Sequence, residues 1–187
     1  MSVQAADHVA ADALRPATAP VWDPLVRIFH WSLAIAFTVA WLSGEELRRV
    51  HLIAGYAIVG LVAFRLVWGV IGTTHARFSD FIYRPSTVIG YLIDAVRMRA
   101  KRYVGHNPAG GAMVIALLAM LSATCGTGVM MTTDAFWGVE WVEAVHEAAV
   151  NVMLILIGLH LAGVAAASVE HRENLVRAMF IGRKRAE

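Results

Sequence analysis

Four of the eight histidines in this 187-residue sequence fall in or at the start of long apolar runs: His30, His51, His146 and His160. An ionisable ring in such a run is costly and is usually kept for a function. Neutral imidazole is a ligand for iron, copper and zinc, and the pattern contains no carboxylate or thiolate ligand beside it. A lone membrane histidine can also be a hydrogen-bonded packing residue, so the four have to be weighed together. His146 and His160 lie fourteen positions apart. On one helix that is close to four turns, which brings both rings to nearly the same face about 21 Å apart along the axis.

The elements that must position these rings are membrane-crossing helices. With 58% apolar residues, 16% charged residues and a mean hydropathy of +0.60, the chain is too hydrophobic for an ordinary soluble domain. Four segments are long enough to cross ~30 Å of hydrocarbon: Leu25 to Gly44, His51 to Ile71, Gly110 to Met131 and Val142 to Ser168. None alternates apolar and polar residues as a barrel strand does. The expected fold is therefore all-α, a transmembrane four-helix bundle. Between the second and third spans, Pro85 and Ser86 are followed by Val88, Tyr91, Leu92, Ala95 and Val96 at helical spacing, running into the basic stretch Arg97 to Arg102. That pattern predicts an amphipathic helix lying on the cytoplasmic interface. The basic stretch adjoins two spans and has no accompanying domain, which argues against nucleic acid as a partner. Residues 1–20 are Ala-rich and polar, without the apolar core of a signal peptide, and are read as a disordered cytoplasmic tail; residues 21–187 are read as one domain.

Charge orients the bundle. Thirteen of the sixteen Lys and Arg residues lie in the N-terminal tail, the long second loop and the C-terminal tail. The first and third loops hold only Arg48 and Arg49, beside Glu45, Glu46, Asp134, Glu140 and Glu143. The positive-inside rule then places both termini in the cytoplasm.

Topology pairs the histidines. His146 with His160 is excluded by their separation on one helix, and His30 with His146 by their lying near opposite faces. What remains is His30 with His160 and His51 with His146, each pair matched in depth. A planar cofactor between two imidazoles is haem, whereas two ligands are too few for a structural zinc. The sequence has no C-x-x-C-H, and its single Cys125 lies within the third span, so covalent haem attachment and a disulfide framework are excluded. Iron with both axial positions filled has none open, which implies outer-sphere electron transfer. Gly55, one turn beyond His51 on the same face, either lets a flat cofactor approach the backbone or falls there by chance. Arg65, fourteen residues beyond His51, either snorkels to the interface or partners a haem propionate. Trp22 and Trp31 are read as interfacial anchors, and Gly110, Gly111, Gly126 and Gly128 as close helix contacts.

The stretches WDPLVRIFHW (Trp22 to Trp31), RLVWGVIGTTHARF (Arg65 to Phe78), GHNPAGG (Gly105 to Gly111), HEAAVNVMLILIGLH (His146 to His160) and HRENLVRAMFIGRKR (His171 to Arg185) resemble the bacterial cytochrome b561 family. Within it they are most similar to the branch containing the b-type cytochrome subunit of nickel-iron hydrogenases, although the connection before the fourth span is shorter here. The resemblance implies two non-covalent b-type haems on the same four histidines, a location in the bacterial inner membrane, and exchange of electrons between the quinone pool and an extracytoplasmic redox protein such as a c-type cytochrome. An enzymatic variant of that reading has the protein itself oxidise superoxide or another small reductant and reduce quinone; added superoxide with purified protein and quinone separates carrier from enzyme. The rival from another class is a haem-free metal or proton transporter or assembly subunit, which a visible spectrum separates from both.

Overall fold

In a computed structural model of the chain, residues 18–44 and 46–186 are described. Four long helices account for the expected spans: α1 (Pro24–Ser43), α2 (Arg48–Ile71), α5 (Pro108–Met130) and α6 (Glu140–Glu170). Each is long enough and apolar enough to cross a membrane. Between α2 and α5 lie the single turn α3 (Phe78–Phe81) and the helix α4 (Pro85–Val96), and after α6 comes the short α7 (Leu175–Ile181). The chain is a transmembrane helical bundle, as its hydropathy predicts.

Local chemistry sets the helix starts. The Asp23 carboxylate accepts the Val26 amide at 2.9 Å, and Pro24 takes the first position, where no donor is needed. Asn107 accepts the Gly110 amide at 2.7 Å ahead of Pro108 in the same way. Helix α7 ends at Gly182, whose φ of +77° is the left-handed cap that favours glycine.

Helices α1 and α2 pack as one antiparallel pair and α5 and α6 as another, with α2 joining them to α5. The buried centre draws on all four: Ala40 from α1; Ala54, Ile58 and Val62 from α2; Leu121 from α5; and Met153 from α6. Larger apolar residues such as Ile35, Val70 and Ile155 face outward on the spans, where lipid is the apolar solvent. Helix α4 divides its apolar residues in two. Tyr91 is buried and Val88 and Ala95 are half-buried where α4 packs on α5, while Ile89, Leu92, Ile93 and Val96 are exposed. That second stripe is the one an interfacial helix offers to lipid.

The first and last described segments meet on one side. Strand β1 (Thr18–Pro20) pairs antiparallel with β2 (Arg183–Arg185), and the Val21 and Trp22 amides both donate to the Gly182 carbonyl. Residues 1–17 of the tail expected to be disordered lie outside the described residues. Thr18 to Pro20, counted in that tail, pair with the returning C-terminal segment, which supplies backbone partners that sequence periodicity does not register. Arg102 pairs with Glu173 at 3.2 Å and donates to the Arg185 carbonyl, while Lys184 donates to the Tyr103 carbonyl at 2.9 Å. The loop after α4 is thereby bound to the C-terminal tail.

Candidate functional site

The bundle brings the four histidines together as two pairs. The His30 and His160 rings have centroids 6.5 Å apart, and the His51 and His146 rings 6.2 Å apart. An imidazole nitrogen lies about 1.1 Å from its ring centre and bonds a metal at about 2.0 Å, so two rings on opposite sides of one metal ion have centroids about 6.2 Å apart. Both pairs fit that requirement. Among the described residues no three His, Cys, Asp or Glu side chains gather at one point, so two-imidazole sites are what this donor set offers.

The His51–His146 pair is held by its outer nitrogens. His51 Nδ1 donates to the Ala40 carbonyl at 2.8 Å, and His146 Nδ1 to the Thr124 carbonyl at 3.0 Å with the Thr127 hydroxyl 3.1 Å away. Only a protonated nitrogen can donate to a carbonyl, so in the neutral rings these contacts place the proton on Nδ1 and leave Nε2 bare for a metal. The Ala40 bond also ties α1 to the start of α2. Gly128 matters here in a way the sequence reading did not assign: a Cβ on it would stand 3.2 Å from His146 Cε1. Its role is room for that ring. Gly111 makes the close helix contact expected of it, against the Phe81 carbonyl of α3, while a Cβ at Gly126 would meet nothing within 4 Å.

The His30–His160 pair is arranged differently. His30 Nδ1 is buried with no hydrogen-bond partner, and the ring meets Trp31 edge-on at 5.1 Å. Trp31 in turn stacks on Phe180 at 4.2 Å, and Trp22 lies 4.6 Å from the His106 ring. Both tryptophans expected at the interface thus make contacts within the protein. Gly55 lies one turn from His51 with open space beside it, since an added Cβ would meet nothing within 4 Å. Arg65 is 4% exposed, and its guanidinium lies 5.0 Å over the Phe78 ring with Nη1 unpartnered. A side chain reaching for lipid headgroups would not be enclosed in this way.

Other polar groups at this end escaped the sequence reading. His106, within GHNPAGG, has its ring against Phe81 at 4.4 Å and its Nδ1 buried without a partner. Burial drives its pKa down to about 3, with the positive charge of Arg65 acting in the same direction, so the ring is neutral at physiological pH. Asp23 accepts from the Thr73 hydroxyl at 2.6 Å and the Trp68 indole at 3.3 Å. Burial alone would raise its pKa, but these bonds and that from Val26 hold it below the usual carboxylate range. A histidine in a loop before Pro carries no periodicity, which is why spacing alone did not single out His106.

A family model described as prokaryotic cytochrome b561 matches residues 21–182. A protein described as a probable Ni/Fe-hydrogenase B-type cytochrome subunit, from Rhizobium leguminosarum bv. viciae, is 20% identical over 228 aligned residues, covering 96% of this chain and 94% of that one. No solved structure matches.

Proposed function

The chain belongs to the prokaryotic cytochrome b561 family, a family of membrane b-type cytochromes that bind haem and transfer electrons; from that premise we propose that this protein holds two b-type haems and carries electrons across the bacterial inner membrane. The spacing of the rings supports two bis-histidine sites. Each pair is separated by what two imidazoles on one metal ion need, and the pairs lie at two levels of α6, completed by α1 for His160 and by α2 for His146.

Haem held by His30 with His160 and by His51 with His146 would supply a one-electron iron couple. The protein's own residues do the rest. His51 and His146 are fixed in tautomer by the Ala40 and Thr124 carbonyls, and Gly128 leaves room for the His146 ring. Gly55 leaves a flat face beside the His51 site. Arg65 supplies positive charge for a propionate at the depth of His30, as the 6.3 Å contact between the neighbouring Phe29 and Phe64 rings indicates. Ala40, Ala54, Ile58, Leu121 and Met153 fill the layer between the sites and keep it dry.

Quinone is the proposed partner within the membrane. A c-type cytochrome or other redox subunit is the proposed partner at the His51–His146 end, taken as extracytoplasmic from the charge distribution. Exposed Glu46, Asp134, Glu140 and Glu143 outnumber exposed Arg48 and Arg49 there, which suits a partner with a basic face.

Lipid vesicles loaded with ferricyanide and given a short-chain quinol outside test this reading. Trapped ferricyanide is expected to be reduced by the wild-type protein and by neither His30→Ala nor His51→Ala. Haem-loaded wild-type protein that leaves the trapped ferricyanide oxidised would overturn transmembrane transfer.

A further inference from the structure

Several buried nitrogens at the end of the bundle where β1 and β2 meet have no partner among the described residues, and Arg65 Nη1 and His106 Nδ1 are two of them. Both belong to one aromatic cluster. The Arg65 guanidinium lies over Phe78, Phe78 meets Phe81 edge-on at 5.8 Å, and Phe81 lies against His106, whose other neighbour is Trp22. The cluster is set by backbone as well as by side chains: the Phe78 ring occupies the place of a Cβ at Gly69, and the Phe81 carbonyl that of a Cβ at Gly111.

The nearby acids are engaged elsewhere. Asp23 is bonded to Val26, Thr73 and Trp68, and Asp80 to His75 Nδ1 at 2.9 Å. Asp23 lends Arg65 its charge, but among the described residues no carboxylate pairs directly with the enclosed guanidinium, and an unpartnered ring nitrogen in the same cluster adds to the cost. An acceptor carrying negative charge resolves both at once. Arg65 stands at the depth of His30, where a group held between His30 and His160 would bring carboxylates not engaged by other residues.

We propose that Arg65 and His106 together form a single carboxylate site, and that its occupant is a propionate of the haem held by His30 and His160. This rests on the two-haem reading above and adds His106 to it, coupling the loop ahead of α5 to one haem and not the other. His106 acts here as a positioning residue, donating a hydrogen bond to the carboxylate while Arg65 supplies the charge.

Redox titration of the purified two-haem protein, with the haems assigned from single-ligand variants, tests the proposal. His106→Phe keeps a ring between Trp22 and Phe81 and removes the donor. The potential of the His30–His160 haem is expected to shift downward, because a carboxylate that loses its donor favours the more positive, oxidised iron; the other haem stays put. His106→Gln, which restores an amide donor, is expected to return most of the shift. Combined with Arg65→Gln, the shift should fall short of the sum of the two single shifts, since both act on one carboxylate. If His106→Phe does not accumulate, His106→Leu takes its place. Two bound haems with unchanged potentials in these variants would overturn the shared site while leaving the haem reading intact. Shifts that track added chloride or acetate would assign the site to a solution anion and overturn the propionate. A wild-type protein without haem would overturn the earlier reading instead.

Discussion

At the scale of single residues, the outer nitrogen of a histidine decides as much as the inner one. His146 is held by the Thr124 carbonyl, by the Thr127 hydroxyl and by the absence of a side chain at Gly128. Gly128→Val would drive methyl groups into the imidazole, and the expected result is loss of the His51–His146 haem with the other retained, read as a halved haem content. Thr127→Val removes one polar neighbour and leaves the carbonyl, so a milder effect follows, a fall in haem affinity of about 10-fold at that site. Retention of both haems with wild-type affinity in Gly128→Val would show that the ring has other room. Arg65 carries its own expectation: Arg65→Gln should lower the potential of the His30–His160 haem and spare the other, whereas equal midpoints in variant and wild type would return the charge to a structural part.

Helices set the distances between such residues. Because His146 and His160 sit four turns apart on α6, the two pairs share no ligand and lie about 21 Å apart, and each should fail alone. His51→Ala or His146→Ala is expected to empty one site and His30→Ala or His160→Ala the other, read from the loss of one component in the redox titration; a His30 variant that emptied the His51 site while keeping its own would contradict the pairing. The spans, their approximate limits and the amphipathic α4 were legible in hydropathy and 3.6-residue spacing, since lipid and a helical backbone leave few alternatives. The clasp formed by β1, β2, Arg102 and Glu173 was not, because it depends on contacts between residues more than 70 positions apart. That clasp has a pH dependence. Burial alone would raise the Glu173 pKa, but the Arg185 amide and the Arg102 guanidinium hold it below the ordinary carboxylate value. A carboxyl depressed in the fold stabilises it above the unfolded pKa and ceases to do so as pH falls through the folded one. Hydrogen exchange of residues 172–186 should therefore stay slow at neutral pH and quicken only in acid below the usual carboxylate range, with Glu173→Gln fast throughout; exchange indifferent to both would remove Glu173 from the clasp.

On the scale of the whole molecule, four spans return the chain's end to the side where it began, and the β1–β2 pairing fastens the two together. One bundle thus presents two similar imidazole pairs at two depths with an apolar layer between them. The depth matching could be read from the sequence because the number of spans and the spacing on α6 leave one arrangement. What the sequence hid was the second set of contacts, from Thr124 and Gly128 around His146 to Phe81 and Trp22 around His106, each of which depends on how two helices or a loop and a helix come together in space. Both layers converge on one claim, that each imidazole pair holds one iron. A pyridine haemochrome assay on the purified protein, taken with its visible spectrum, tests this most directly: about two haems per chain, all low-spin, are expected, as six-coordinate bis-histidine iron requires, and a ratio near zero or a high-spin spectrum would contradict it.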